Sequence, residues 1–121
     1  MEYYGGKMKS ITINLIDQFS KSPYGRDELD DKENNGKAFR QKFLVKELKD
    51  HKKVTVILDG YNRYGRSFLD EAFAGLIRDE GFTLEQIKKI LEIKHRSNPI
   101  FEAIIKERME SAEEERKNKV I

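Results

Sequence analysis

The 121 residues contain no cysteine, which excludes disulfides, iron–sulfur clusters and thiol chemistry and suits a reducing compartment. Histidine is scarce. His51 and His95 are the only two, and neither has a second His or Cys at ligand spacing, so zinc and iron sites are not indicated. Both are expected at the surface or at a helix end. A Ser-His-Asp arrangement would need one of them beside Ser67, yet no nucleophile-elbow motif surrounds that serine. Neither GxxxxGK[ST] nor GxGxxG occurs, which removes the common phosphate loops. No run approaches the ~18 apolar residues of a membrane span, and MEYYGGKMKS at the start lacks the apolar core of a signal peptide. These absences lead us to expect a soluble, cytoplasmic protein. Charge of one sign is missing too: 24 basic residues face 22 acidic ones, a balance with no footprint for nucleic acid.

What remains is a polar but globular chain, with seven Phe and five Tyr, too aromatic for wholesale disorder. Its length suits one domain. We expect the core over about residues 8–112, and a charged tail over 113–121 that projects into solvent and frays.

The organising stretch is VTVILDGYNRYGRSFLDEAFAGL, residues 54–76. The apolar run Val54–Leu58 reads as a central strand covered by helices, apolar on both pleat faces except at Thr55. A turn with Gly60, Asn62 and Gly65 follows, and a helix is expected over about 68–80, with Gly81 placed to end it. Ser67 and Asp70 have the spacing of a capping box in which Asp replaces Glu. Strand, polar turn and helix start is how α/β proteins build sites, because backbone N–H groups point out of a helix N-terminus.

Before this stretch, Ile11, Ile13 and Leu15 alternate with Thr12 and Asn14 as a strand, which Ile16 and Phe19 lead into an exit loop. The loop over 20–36 is long for a small domain, which marks it as functional, mobile or a solvated surface loop. A helix over 37–50 follows, with Asn35 as its cap. Phe39, Phe43, Leu44 and Leu48 form its apolar stripe, with Arg40, Lys42, Lys46 and Lys49 off it. After Gly81, Thr83 and Gln86 cap a short helix over 84–88, and 90–95 reads as a third strand or as more of that helix. Ser97-Asn98-Pro99 starts the last helix, whose stripe is Ile100, Phe101, Ile104, Ile105, Met109 and Ala112, with Glu102–Lys106, Glu113–Lys117 and Glu115–Lys119 as supporting pairs. This order implies an α/β sandwich with a small, parallel or mixed sheet.

Two constellations could carry chemistry. Asp59, Asp70 and Glu71 could meet at one sheet edge and hold Mg²⁺ for hydrolysis, or Asp70 and Glu71 could simply complement the helix dipole. Arg26, Arg40, Arg63 and Arg66 could bind a phosphate or carboxylate, or neutralise those acids and hold the loops. No catalytic group, metal or cofactor is indicated. Pairing of the last helix with a second copy stays open beside its packing on the sheet.

Pro23-Tyr24-Gly25-Arg26, Gly36-Lys37-Ala38-Phe39-Arg40 and Tyr64-Gly65-Arg66-Ser67-Phe68-Leu69-Asp70-Glu71-Ala72-Phe73 resemble the bacterial STAS-like domain family of unknown function. The likeness covers about residues 11–93, and Gly-x-Ser-Phe-x-Asp-Glu-Ala-Phe is its most specific block. Tyr24 departs from it, standing where a second Gly of a Pro-Gly-Gly-Arg turn is expected. More distantly the family is similar to STAS domains of the anti-sigma-factor antagonists. That similarity implies a single small sheet with helices packed against it, and a working surface at the start of the helix after the central strand. It also implies a regulatory protein partner, a kinase-like ATPase, whose binding is switched by serine phosphorylation. The positions corresponding to that serine are Glu71 and Ala72, which accept no phosphate, and Ser67 as an N-cap would be engaged with the backbone. The resemblance thus implies a non-enzymatic interaction domain whose face comprises Tyr24, Arg26, Arg40, Tyr61, Arg63, Tyr64, Arg66, Ser67, Asp70 and Glu71. Exposed tyrosines beside arginines suit such a face. The alternatives are a nucleotide-phosphate module on Arg26, Arg63 and Arg66, and a Mg²⁺-dependent hydrolase on Asp59, Asp70 and Glu71.

Overall fold

A four-stranded sheet forms in the order β1 (Tyr3–Tyr4), β2 (Lys7–Asn14), β3 (His51–Ile57), β4 (Leu91–Lys94). The computed structural model describes residues 3–4 and 7–119, with side chains from Lys7 onward. β1 pairs antiparallel to β2, while β2, β3 and β4 run parallel. The expected α/β architecture with a small mixed sheet is what the chain adopts, and β3 is central. Register puts Ile11 beside Val54 and Ile13 beside Val56, with Leu91 and Ile93 across on β4.

This face carries the core: Ile13, Val54 and Val56 are buried. The other face does not follow expectation. Ser10, Thr12, Lys53, Glu92 and Lys94 are exposed, and Thr55 and Ile57 only half-buried. Helices therefore cover one face of the sheet. Adjacent parallel strands laid down in one direction by right-handed crossovers put every crossover helix on the same side.

β2 does not run into an open loop. Asn14 accepts a hydrogen bond from the Asp17 amide and starts a helical turn, α1 (Leu15–Gln18), which buries Leu15 and Ile16. The next helix, α2, spans 36–50 and begins on the Asn35 cap, whose side chain accepts from the Ala38 amide at 2.7 Å. Its middle, Arg40–Leu44, is a π-helical turn. α3 spans 66–78 and also carries a π turn, Asp70–Ala74. Gly36 lets the two helices approach: a Cβ there would lie 2.7 Å from the Phe68 carbonyl oxygen and 3.0 Å from the Ala72 nitrogen. Between them Phe19, Phe39, Phe43, Phe68 and Phe73 interlock with ring centroids 5.3–6.4 Å apart. Each fully buried Phe contributes about 1.5–3 kcal/mol by leaving water.

After α3, Gly81 turns the chain at φ +83°. α4 (Leu84–Ile90) starts on the expected Thr83–Gln86 capping box and delivers the chain to β4 as a strand. The long helix α5 (Ile100–Lys119) lies against α3 through Phe101, Ile105 and Ala112, while Ile100, expected on its apolar stripe, is 54% exposed. Glu113 is buried, with its carboxylate paired to Arg116 at 2.8 Å and accepting from the Leu84 amide, rather than reaching Lys117. Residues 120–121 of the expected tail lie outside the described residues.

Candidate functional site

The residues singled out from the sequence separate into an internal network and an exposed rim. The network centres on Asp70, in the first turns of α3, whose side chain is 4% exposed. Its Oδ2 accepts from Arg26 Nη1 at 2.7 Å and Arg78 Nη2 at 2.7 Å, and its Oδ1 from Arg108 Nε at 2.8 Å and Arg78 Nη1 at 3.2 Å. Burial alone would push this carboxyl up; the hydrogen bonds from Arg78, Arg26 and Arg108 prevail and hold it at about 2. One carboxylate therefore ties the 20–36 loop, the end of α3 and the middle of α5 together.

A second knot adjoins it. Arg40, 1% exposed, reaches across from α2 to Glu71 Oε2 and Glu80 Oε2, both at 2.9 Å, and donates to the Glu71 backbone carbonyl. That carbonyl belongs to the π turn of α3, and such turns leave carbonyls available to partners outside the helix. Space for the guanidinium comes from Gly75: a Cβ there would lie 2.0 Å from Arg40 Nη1. Arg26 bridges the knots, 3.5 Å from Glu71 Oε1. Among the described residues no buried side-chain N or O lacks a hydrogen-bond partner.

This arrangement corrects several expectations. Asp70 caps no helix; the N-cap of α3 is Gly65, with no side-chain cap bond, so Ser67 lies inside the first turn and is exposed. Arg40, placed off the apolar stripe, is inside the protein. Arg26 and Arg40 are already paired with carboxylates, and exposed Arg66 sits 3.4 Å from Glu107, so of these four cations Arg63 alone lacks a paired acid among the described residues. The Mg²⁺ triad is not assembled either. Asp59 accepts from the Arg96 amide, Asp70 is enclosed by guanidiniums, and no three His, Cys, Asp or Glu among the described residues form a cation site.

Tyr64, expected at the surface, is buried. Its hydroxyl donates to the Leu58 carbonyl at 2.8 Å, and burial pushes the phenol well above its usual range. Tyr61 is half-buried with its ring against Tyr64, centroids 5.0 Å apart. Both histidines are buried. His51 closes α2, and His95 bonds through Nε2 to the Tyr61 carbonyl at 2.8 Å while Nδ1 accepts from the Asn98 amide at 3.1 Å. The turn over 59–65 is therefore pinned from beneath. Tyr64→Phe leaves the Leu58 carbonyl without its donor and should cost about 1–2 kcal/mol, read as a shifted urea midpoint at unchanged slope.

What stays exposed forms a rim. The 20–36 loop folds back on itself through Tyr24 N–H to the Asn34 carbonyl, Gly36 N–H to the Gly25 carbonyl and Lys37 N–H to the Arg26 carbonyl. That closure presents Tyr24, 63% exposed, beside the start of α3. Tyr24, Asp30, Gly65, Arg66 and Ser67 line a cleft of about 240 Å³, and exposed Arg63 stands on the turn before it.

Strand order, one-sided helical layer and a loop-and-helix-start rim define a small α/β domain of STAS-like type. The chain belongs to the family of the STAS-like domain of unknown function (DUF4325), whose model matches residues 35–101, from the cap of α2 into the first turn of α5. Neither the curated proteins nor the solved structures provide a match to the chain. Among the described residues no helix is long and apolar enough to cross a membrane.

Proposed function

We propose that this STAS-like domain is a non-enzymatic regulatory module of the bacterial cytoplasm that binds a protein partner through the rim of Tyr24, Arg63, Arg66 and Ser67. The observation that carries this reading is the division of labour among the polar residues. Asp70, Glu71, Arg40 and the inward part of Arg26 are consumed by the scaffold, and Tyr61 and Tyr64 support the turn from beneath. The rim keeps aromatic and guanidinium groups facing solvent, the residue types enriched at interfaces. A kinase-like ATPase is the partner that the distant similarity to anti-sigma-factor antagonists suggests.

The test is affinity capture from source cells with wild type and Arg66→Glu. The ion pair of Arg66 with Glu107 is exposed on both sides and worth at most about 1 kcal/mol. A glutamate in the first turn of α3 also complements the helix dipole. We expect the variant to melt within a few degrees of wild type and to lose the captured protein. Equal capture by a folded variant would refute the rim.

A further inference from the structure

The acidic tip of the 20–36 loop and a cleft at the far end of the sheet have complementary chemistry. Asp27 organises the tip: its carbonyl accepts from the Asp30 and Asp31 amides, and its carboxylate from the Leu29 amide at 3.0 Å. Asp30 and Asp31 in turn accept from the amides of Arg26, Glu33 and Asn34. These bonds order the tip, where Leu29 is 92% exposed and Asp27, Glu28, Asp30 and Asp31 flank it in the chain; Glu28 lies 3.9 Å from Lys37. A solvent-facing leucine on an acidic loop tip suits an apolar hole with a cationic rim.

The chain carries such a hole. Leu48 floors a cleft of about 430 Å³ that Phe82 and Ile90 line, and Lys7, Lys49 and Lys89 surround it. Lys89 lies 3.5 Å from Glu85, with both side chains largely exposed. Among the described residues no carboxylate lines the cleft.

The two features lie at opposite ends of the fold. The tip follows the C-terminal end of β2, whereas the cleft joins the start of β2, the end of α2 and the end of α4 where β4 begins. One molecule cannot bring its own tip to its own cleft. We propose that copies of this chain associate head to tail, with Leu29 of one seated in the lysine-rimmed cleft of the next. Such a contact is heterologous, so it propagates into chains or closes into rings. A single loop tip buries little area, which makes the contact weak and concentration-dependent. The tip shares the 20–36 loop and Asp30 with the partner-binding rim, whereas the lysine-rimmed cleft has no residue in common with it.

Sedimentation velocity of the full chain over rising concentration tests it, with Leu29→Glu to disable the tip and Lys49→Glu with Lys89→Glu to disable the cleft. All three positions are exposed, so folding is unaffected. Wild type should form larger species as concentration rises. Salt raised from about 0.05 M to about 0.5 M should shrink them, since screening then acts within about 5 Å. Each variant alone should lose every species above the monomer. Their equimolar mixture should give a heterodimer and nothing larger, because one intact tip then meets one intact cleft. A wild type that stays monomeric, including one whose cleft instead takes an acidic segment of another protein, overturns the proposal. So does an assembly that survives both variants.

Discussion

Arg40→Ala should destabilise the domain by about 3–5 kcal/mol, a loss that lowers its melting temperature by about 10–20 °C. Among the described residues Arg40 is the largest fully buried side chain, and it holds Glu71 and Glu80, whose side chains are 17% and 19% exposed. Removing the guanidinium leaves two half-buried carboxylates facing each other across a void, with the Glu71 carbonyl unpaired. The same knot is reached from the other side by Gly75→Ala. Its new methyl would occupy the position of Arg40 Nη1, and because Arg40 is enclosed it cannot swing away; we expect a loss of about 2–3 kcal/mol. The two changes should not add. With Arg40 truncated the methyl meets space instead of a guanidinium, so Gly75→Ala should become nearly neutral in that background, as urea denaturation of the double-mutant cycle would show.

Asp70→Asn should cost about 3 kcal/mol and remove a pH dependence that wild type has. The wild-type carboxyl is held at about 2 in the folded protein, below the roughly 3.9 of an unfolded aspartate. A folded-state value lowered in this way contributes stability that is fully present above the unfolded value and is lost as pH falls toward 2. The contribution is about 2–3 kcal/mol. Wild type should therefore weaken between about pH 5 and pH 2. The variant should be weaker already at pH 7, because three guanidiniums then crowd a neutral amide, and its stability should fall less over that acid window. Denaturant midpoints for both proteins at pH 7, 5 and 3 read the difference. Parallel decline of the two would show that Asp70 is not the group responsible.

Local rules made most of the elements legible in the sequence. Asn35 and the Thr83–Gln86 box each act within a turn of their own backbone and mark the boundaries they were expected to mark, whereas α3 ends at Arg78, three residues before the Gly81 turn expected to end it. Even the π turn of α2 left a trace: Phe39, Leu44 and Leu48 recur at i, i+5 and i+9, one residue more than an α-helical stripe needs. The one-sided sheet was harder to read. Val54–Leu58 looks apolar on both faces, and only pairing with Thr12, Glu92 and Lys94 shows that its second face meets water.

The polar network was legible in composition but not in geometry. Arg26, Asp70 and Arg108 are brought together from positions 44 and 38 residues apart, and no periodicity reports such distances. Arg78 and Arg108 were missed altogether. A signal did exist, since Arg108 sits between Ile105 and Met109 as Asp70 sits between Leu69 and Ala72. A charge set within an apolar stripe on two helices suggests that the helices exchange those charges. Tyr64 was misread because its neighbours Asn62, Arg63 and Gly65 are turn residues. Its burial follows from the long-range bond to the Leu58 carbonyl and from its packing on Phe68 and Phe101.

The claim that the loop-and-helix-start rim is the working surface has a direct test in source cells. A photo-crosslinking amino acid would be placed at position 24 on the rim, or at position 12 on the exposed face of the sheet. A discrete adduct with a second, different protein is expected from position 24 and none from position 12. Adducts from position 12 alone would contradict it and move the working surface to the sheet.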